Sequence, residues 1–212
     1  MIETKGGLVD SSAYGKNCFG LSAQFLEASR RYAWGRAVLS RETSQLAINE
    51  LPDASLLILF LESMSLECLM KALLEVNCKH SKEPSNLKRG SHNLFFLLKK
   101  VEDHLNRRRI QISFDTEERR YISPFENHGN FIYQTLKYGF LLTKDRKHPS
   151  EFGYGPSGSA FAKLCDKLYD AFWQIRKKEW ETYKKENPYK KEEDEAILRN
   201  IEQGRQKSFL SF

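Results

Sequence analysis

The chain has 212 residues, 40% of them hydrophobic and 29% charged. That balance excludes a disordered polymer, and a chain of this length buries roughly 70% of its unfolded surface, enough for one domain with its own core. Thirty-four Lys and Arg against twenty-eight Asp and Glu leave a net charge of +6, which suits an anionic partner, although the C-terminal lysines alternate with Glu as on a solvated helix face.

The longest apolar run, Leu56 to Leu61, stops at Glu62 and is far short of the roughly 20 residues that span a bilayer. The start, Met-Ile-Glu-Thr-Lys-Gly-Gly, lacks the basic and apolar stretches of a secretion signal, so a cytoplasmic protein without membrane contact is expected. Cys18, Cys68, Cys78 and Cys165 form no Cys-x-x-Cys pair and are expected as reduced thiols. Cys78 and His80 lack a second ligand pair at zinc spacing, so neither a metal nor a cofactor is expected.

In chain order, residues 1–20 carry four glycines without apolar periodicity and read as an irregular arm. From Leu21 to Ala47, Phe25, Ala28, Tyr32, Val38, Leu39 and Leu46 recur at helical intervals and predict a long first helix. Pro52 ends the connection, and Asp53 or Ser55 can cap the next helix. That second helix, about 54–78, is apolar nearly all round, through Leu56, Leu59, Leu66, Leu69 and Leu73, and so belongs at the centre of a bundle. After a surface loop, Ser91 is the expected cap for a third helix with Leu94, Leu97, Leu98, Val101 and Leu105 on one stripe.

Asp115-Thr-Glu-Glu118 has the pattern of a reciprocal helix cap, and Pro124 breaks that short helix before another from about Phe125 to Tyr138, stopped by Gly139. Residues 143–159 form a Gly/Pro/Ser loop. Ser159 is the expected cap of a last major helix, with Phe161, Leu164, Leu168, Phe172 and Ile175 on one face, running through Trp180 and Tyr183 to Pro188. A short amphipathic segment carries Ile197, Leu198 and Ile201. The sum is an all-α fold: an arm over 1–20, an up-and-down helical bundle over 21–187, and a short amphipathic helix with its tail over 188–212.

Three segments stand in order: Ser65-Leu-Glu-Cys-Leu-Met-Lys-Ala-Leu-Leu74, Ser91-His-Asn-Leu94 and Leu136-Lys-Tyr-Gly139. Together they resemble the HEPN family, in which a helix of the form Ala-x-Glu-x-x-Leu-Lys-Ala-Leu precedes a Thr-His-Asp-Leu helix start and a late Leu-Arg-Tyr. The likeness covers about 54–140, extends loosely to Tyr32 to Val38, and leaves out the arm and the last forty residues. It implies a nucleotide- or RNA-binding module of toxin or defence systems, acting as a homodimer or with a partner protein, with Lys71 and His92 among the binding residues. The plainer reading makes Glu67 and Lys71 an ion pair where the bundle meets water, ties His92 to its preceding loop, and packs Tyr138 near a helix end.

Ribonucleases of that family carry Arg followed four to six residues later by His, and no Arg stands so before His80, His92, His104, His128 or His148. The nearest arrangement is Arg119-Arg120 with Glu126-Asn127-His128 across Pro124. A kink there can bring Arg120 to His128, where Arg would hold phosphate and His would move protons. Arg120, Glu126 and His128 are therefore the catalytic candidates of an alternative reading, an atypical metal-independent endoribonuclease.

Arg107, Arg108, Arg109, Arg119 and Arg120, interleaved with Phe114 and Tyr121, suit single-stranded RNA. Gly153-Tyr-Gly155-Pro-Ser-Gly158 spells a phosphate-loop pattern, but no strand precedes it and Pro156 removes an amide, so a flexible loop is expected. Trp173, Trp180, Ile197, Leu198 and Ile201 exceed what a four-helix core needs and either fold back or meet a second copy. A helical protein-interaction module is the remaining alternative.

Overall fold

The computed structural model describes residues 20–45, 54–75, 92–138, 149–155, 157–186 and residue 199. Among them are six α-helices, one short 3-10 turn and no strand: α1 Gly20–Gln45, α2 Ala54–Leu74, α3 Leu94–Arg107, α4 Thr116–Ile122, α5 Pro124–Tyr138, the turn Pro149–Phe152, and α6 Gly158–Glu186. The class is all-α. No helix among the described residues is long and apolar enough to cross a membrane.

α2 occupies the centre because every side of it is apolar. Leu59, Leu66, Leu69, Met70 and Leu73 are shut off from water, and α1, α3, α5 and α6 all pack against it. α3 buries the expected Leu94, Leu97, Leu98, Val101 and Leu105, and α6 buries Phe161, Leu164, Leu168, Phe172 and Ile175. α1 runs antiparallel to α2, since Ser29 meets Ser65, Gly35 meets Leu61 and Arg36 meets Glu62.

The buried face of α1 differs from the apolar periodicity. It consists of Ser22, Leu26, Ser29, Ala33 and Ala37, whereas Val38 is exposed. Small residues let the two backbones approach, and Ser29 and Ser65 satisfy each other across the seam through Oγ atoms 3.1 Å apart.

Two expected caps are corrected. α3 is capped by Asn93 rather than Ser91: Oδ1 of Asn93 accepts from the amides of Phe95 and Phe96 at 3.1 and 3.2 Å, and Nδ2 donates to the carbonyl of Phe125 at 2.7 Å. α6 starts at Gly158, where the Phe161 amide donates to the carbonyl of Ser157 at 2.9 Å, while Ser159 Oγ donates instead to Glu117 at 2.7 Å. The reciprocal cap of α4 is as expected, with the Glu118 amide 2.9 Å from Asp115 Oδ1 and the Asp115 amide 2.6 Å from Glu118 Oε2. Pro124 opens α5, a position where its missing N–H leaves no bond unmade. Lys163 and Lys167 of α6 then clamp α4 through Glu117 at 2.7 Å and Glu118 at 2.6 Å.

Cys68 and Cys165 are free and buried, as small apolar side chains are. The expectations for residues 1–19, Pro52, Asp53, Cys78, His80, Gly139 and, apart from Arg199, the 188–212 segment lie outside the described residues.

Candidate functional site

Glu67 and Lys71 stand one turn apart on α2, so their side chains share a face. Glu67 Oε1 accepts from Lys71 Nζ at 2.5 Å and from His92 Nδ1 at 2.9 Å. Only 5% of the Glu67 side chain and 13% of that of Lys71 reach solvent, so the pair is more deeply buried than a rim ion pair. Two donors on one oxygen make that burial tolerable, because they replace the water the carboxylate gives up.

His92 is held by the elements around it; the loop before it, to which the plainer expectation ties its ring, lies outside the described residues. It directly precedes the Asn93 cap, which is itself bonded to α5. Its ring lies flat on Tyr133 of α5, with centroids 4.1 Å apart and planes within 10°. Lys137, one turn further along α5, brings Nζ to 5.7 Å from the Tyr133 ring, and Lys71 Nζ lies 6.0 Å from the Phe25 ring of α1. Burial first, then the neighbouring Cys68 and Glu67, push the Tyr32 hydroxyl above its ordinary value. α1, α2, α5 and the start of α3 thus bring two cations, one carboxylate and stacked rings to one place, a set able to hold phosphate and a planar base.

A second polar centre lies wholly inside. Glu62 has no solvent exposure; its Oε1 accepts from Arg36 Nε at 3.0 Å and its Oε2 from the Tyr121 hydroxyl at 2.6 Å. Burial pushes the Glu62 carboxyl up, against the pull of Tyr121 and Arg36. The Tyr121 oxygen in turn meets that of Tyr154 at 3.1 Å, and Tyr154 packs edge-on against Phe125 at 4.7 Å. Tyr154 is therefore a plug in the core, which corrects the flexible loop expected at this residue: it is fully buried, and Gly153, itself exposed, adopts φ +80° to turn the chain inward. Arg36, Glu62 and Tyr154 were missed by sequence reasoning. The available signal was a carboxylate inside an all-apolar helix, which has to find donors.

The basic surface loses its aromatic members. Tyr121 and Phe114 are buried, so neither offers a ring face to a base, and the expectation of Tyr121 as a nucleic-acid contact is corrected. Arg107, Arg109, Arg119 and Arg120 are exposed, whereas Arg108 binds Glu179 at 2.8 Å. Arg119 binds Glu102 at 2.8 Å and lies over Phe114 at 5.9 Å. Arg120, Glu126 and His128 are all exposed, with Glu126 facing Lys99 at 4.0 Å. Trp173 is buried in the chain's own core, so of the surplus apolar residues this one folds back. The side chains of Tyr138 and Trp180, and residues Ile197, Leu198 and Ile201, lie outside those described.

No protein-family model, no curated protein and no solved structure matches the chain.

Proposed function

We propose that the chain is a HEPN-like nucleotide- or RNA-binding module, acting as a dimer or with a partner protein, and that its ligand meets the face built from Lys71, His92, Tyr133 and Lys137. The observation that carries this is the double use of Glu67, which orients both Lys71 and His92 while His92 lies flat on Tyr133. An ammonium has three N–H donors, and Glu67 takes one from Lys71, leaving two for phosphate. The stacked rings present a platform for a base, and because they are locked by packing before a ligand arrives, little rotamer freedom is lost on binding. The exposed Arg107, Arg109, Arg119 and Arg120 add a positive field that draws a polyanion toward the molecule. Binding is favoured over cleavage, since Arg120, Glu126 and His128 stand in solvent, where a general base gains no help from a desolvated phosphate.

The test is fluorescence anisotropy with labelled ATP and with a short labelled single-stranded RNA. Lys71→Ala, His92→Ala and Tyr133→Ala are each expected to weaken binding about tenfold. Arg107→Ala with Arg109→Ala should weaken the RNA alone, with a shallower salt dependence. Absence of binding to either probe at millimolar concentration would sink the proposal. So would wild-type affinity in all three folded site variants.

A further inference from the structure

α1 presents a second face with an ordered pattern. Opposite its buried stripe, Gln24, Glu27, Arg31, Trp34, Val38 and Arg41 are all exposed, and their spacing alternates between three and four residues, the seam repeat of paired helices. Trp34 is 59% and Val38 37% exposed at its centre, and Leu57 of α2 is 48% exposed. Leu57 lies beside this stripe, because it stands one turn before Leu61, the residue that packs at Gly35. Three of the four large apolar side chains exposed among the described residues therefore gather here.

The charges around Trp34 identify the occupant. Glu27 stands seven residues before it and Arg41 seven after, two helical turns each way. Rotated about a twofold axis through Trp34, the helix sets Glu27 opposite Arg41 of the partner subunit at both ends, and Trp34 against its own copy. Parallel pairing would instead set like charges together, so the pattern selects the antiparallel, isologous arrangement. Glu27 already binds Arg31 through Oε1 at 3.1 Å on the same exposed face, which leaves its second oxygen for the partner. We propose that α1 is a homodimer seam, on which a second copy of this chain docks antiparallel with Trp34 at the twofold axis and Leu57 at its flank. This rests on the dimeric form of the reading above and gives it a surface, whereas the ligand face of Lys71, His92 and Tyr133 is tested separately by its own binding measurement.

Sedimentation of the full chain at tens of micromolar tests it. The wild type is expected as a dimer, and Trp34→Ala, which removes the central anchor, should raise the dissociation constant about thirtyfold. Glu27→Arg alone and Arg41→Glu alone each put like charges at both ends and should raise it about tenfold. An equal mixture of those two single variants should regain the wild-type constant, because one chain is then positive at both ends and the other negative. A wild-type monomer overturns the seam. A dimer indifferent to all three substitutions, or a mixture no tighter than its components, overturns it as well. Circular dichroism checks that each variant keeps its helices.

Discussion

A carboxylate with no surface in water has to find its hydrogen bonds inside the protein, and Glu62 finds them in Arg36 and Tyr121. A phenol carries one hydrogen. Tyr121 directs its own to Glu62 at 2.6 Å, so in the 3.1 Å contact between the two hydroxyls Tyr154 is the donor and Tyr121 the acceptor. The two hydroxyls are therefore unequal. Tyr121→Phe removes a bond to a buried charged group and should cost about 2 kcal/mol, whereas Tyr154→Phe removes a neutral pair and should cost about 1 kcal/mol. Urea denaturation of the two variants reads the difference, and equal or reversed losses would contradict this donor order. Sequence separation decided which of these contacts was legible. Glu67 and Lys71 are four residues apart, a spacing that helix geometry makes visible, but Tyr121 lies 59 residues from Glu62 and nothing local announces it. His92, 25 residues from Glu67, was singled out through the family resemblance, which did not say what its ring would touch.

Element boundaries show the same division between local and distant causes. The Asp115–Glu118 cap is a four-residue matter and was readable; the choice of Asn93 over Ser91 depends on α5, whose Phe125 carbonyl takes the Asn93 amide. That contact explains Gly129. A Cβ at this position would come within 2.4 Å of Asn93 Nδ2 and 2.7 Å of its Cγ, so the glycine is where the α3 cap crosses α5. Replacing Gly by Ala inside a helix ordinarily stabilises by about 1 kcal/mol. Here the Asn93 side chain has to leave, α3 loses its cap, and Gly129→Ala should destabilise by about 1 kcal/mol net. Asn93→Ala should have a similar effect, and the double variant should lose much less than the sum, because both remove one interaction. A Gly129→Ala variant more stable than wild type in urea would refute the crossing. α1 teaches the complementary lesson, because its register was misread. Apolar periodicity weights large side chains, yet the contact with α2 is made by Ser and Ala, and Val38 and Trp34 were left outside.

For the whole molecule, the pattern of apolar faces was enough to place α2 at the centre and to give an all-helical bundle, since the hydrophobic term is set by which stripes must be covered. It was not enough to say which polar groups go in with them, and those groups govern how stability responds to pH. Burial, then the nearby Arg108 and Arg107, push the His104 imidazole down from its ordinary 6.5 to about 4. The unfolded chain therefore takes up a proton that the folded chain refuses, and stability present above 6.5 is lost as pH falls toward 4, by about 2 kcal/mol at pH 5. Glu62 acts in the opposite sense. Its carboxyl is raised above the ordinary 4.5, chiefly by burial, so the folded chain binds its proton first and acidification toward 4.5 returns some stability. Asp115 is lowered mainly by the Glu118 amide and Glu117 mainly by Lys163, and both lose their contribution only at still lower pH. Urea denaturation between about pH 7 and pH 5 separates the two buried groups. His104→Leu should flatten the fall in stability over that window, and Glu62→Gln should steepen it, whatever either variant does to the absolute value. If His104→Leu leaves the slope unchanged, the imidazole is not the group that takes up the proton; if Glu62→Gln flattens it, the Glu62 carboxyl is lowered by Arg36 and Tyr121 more than burial raises it.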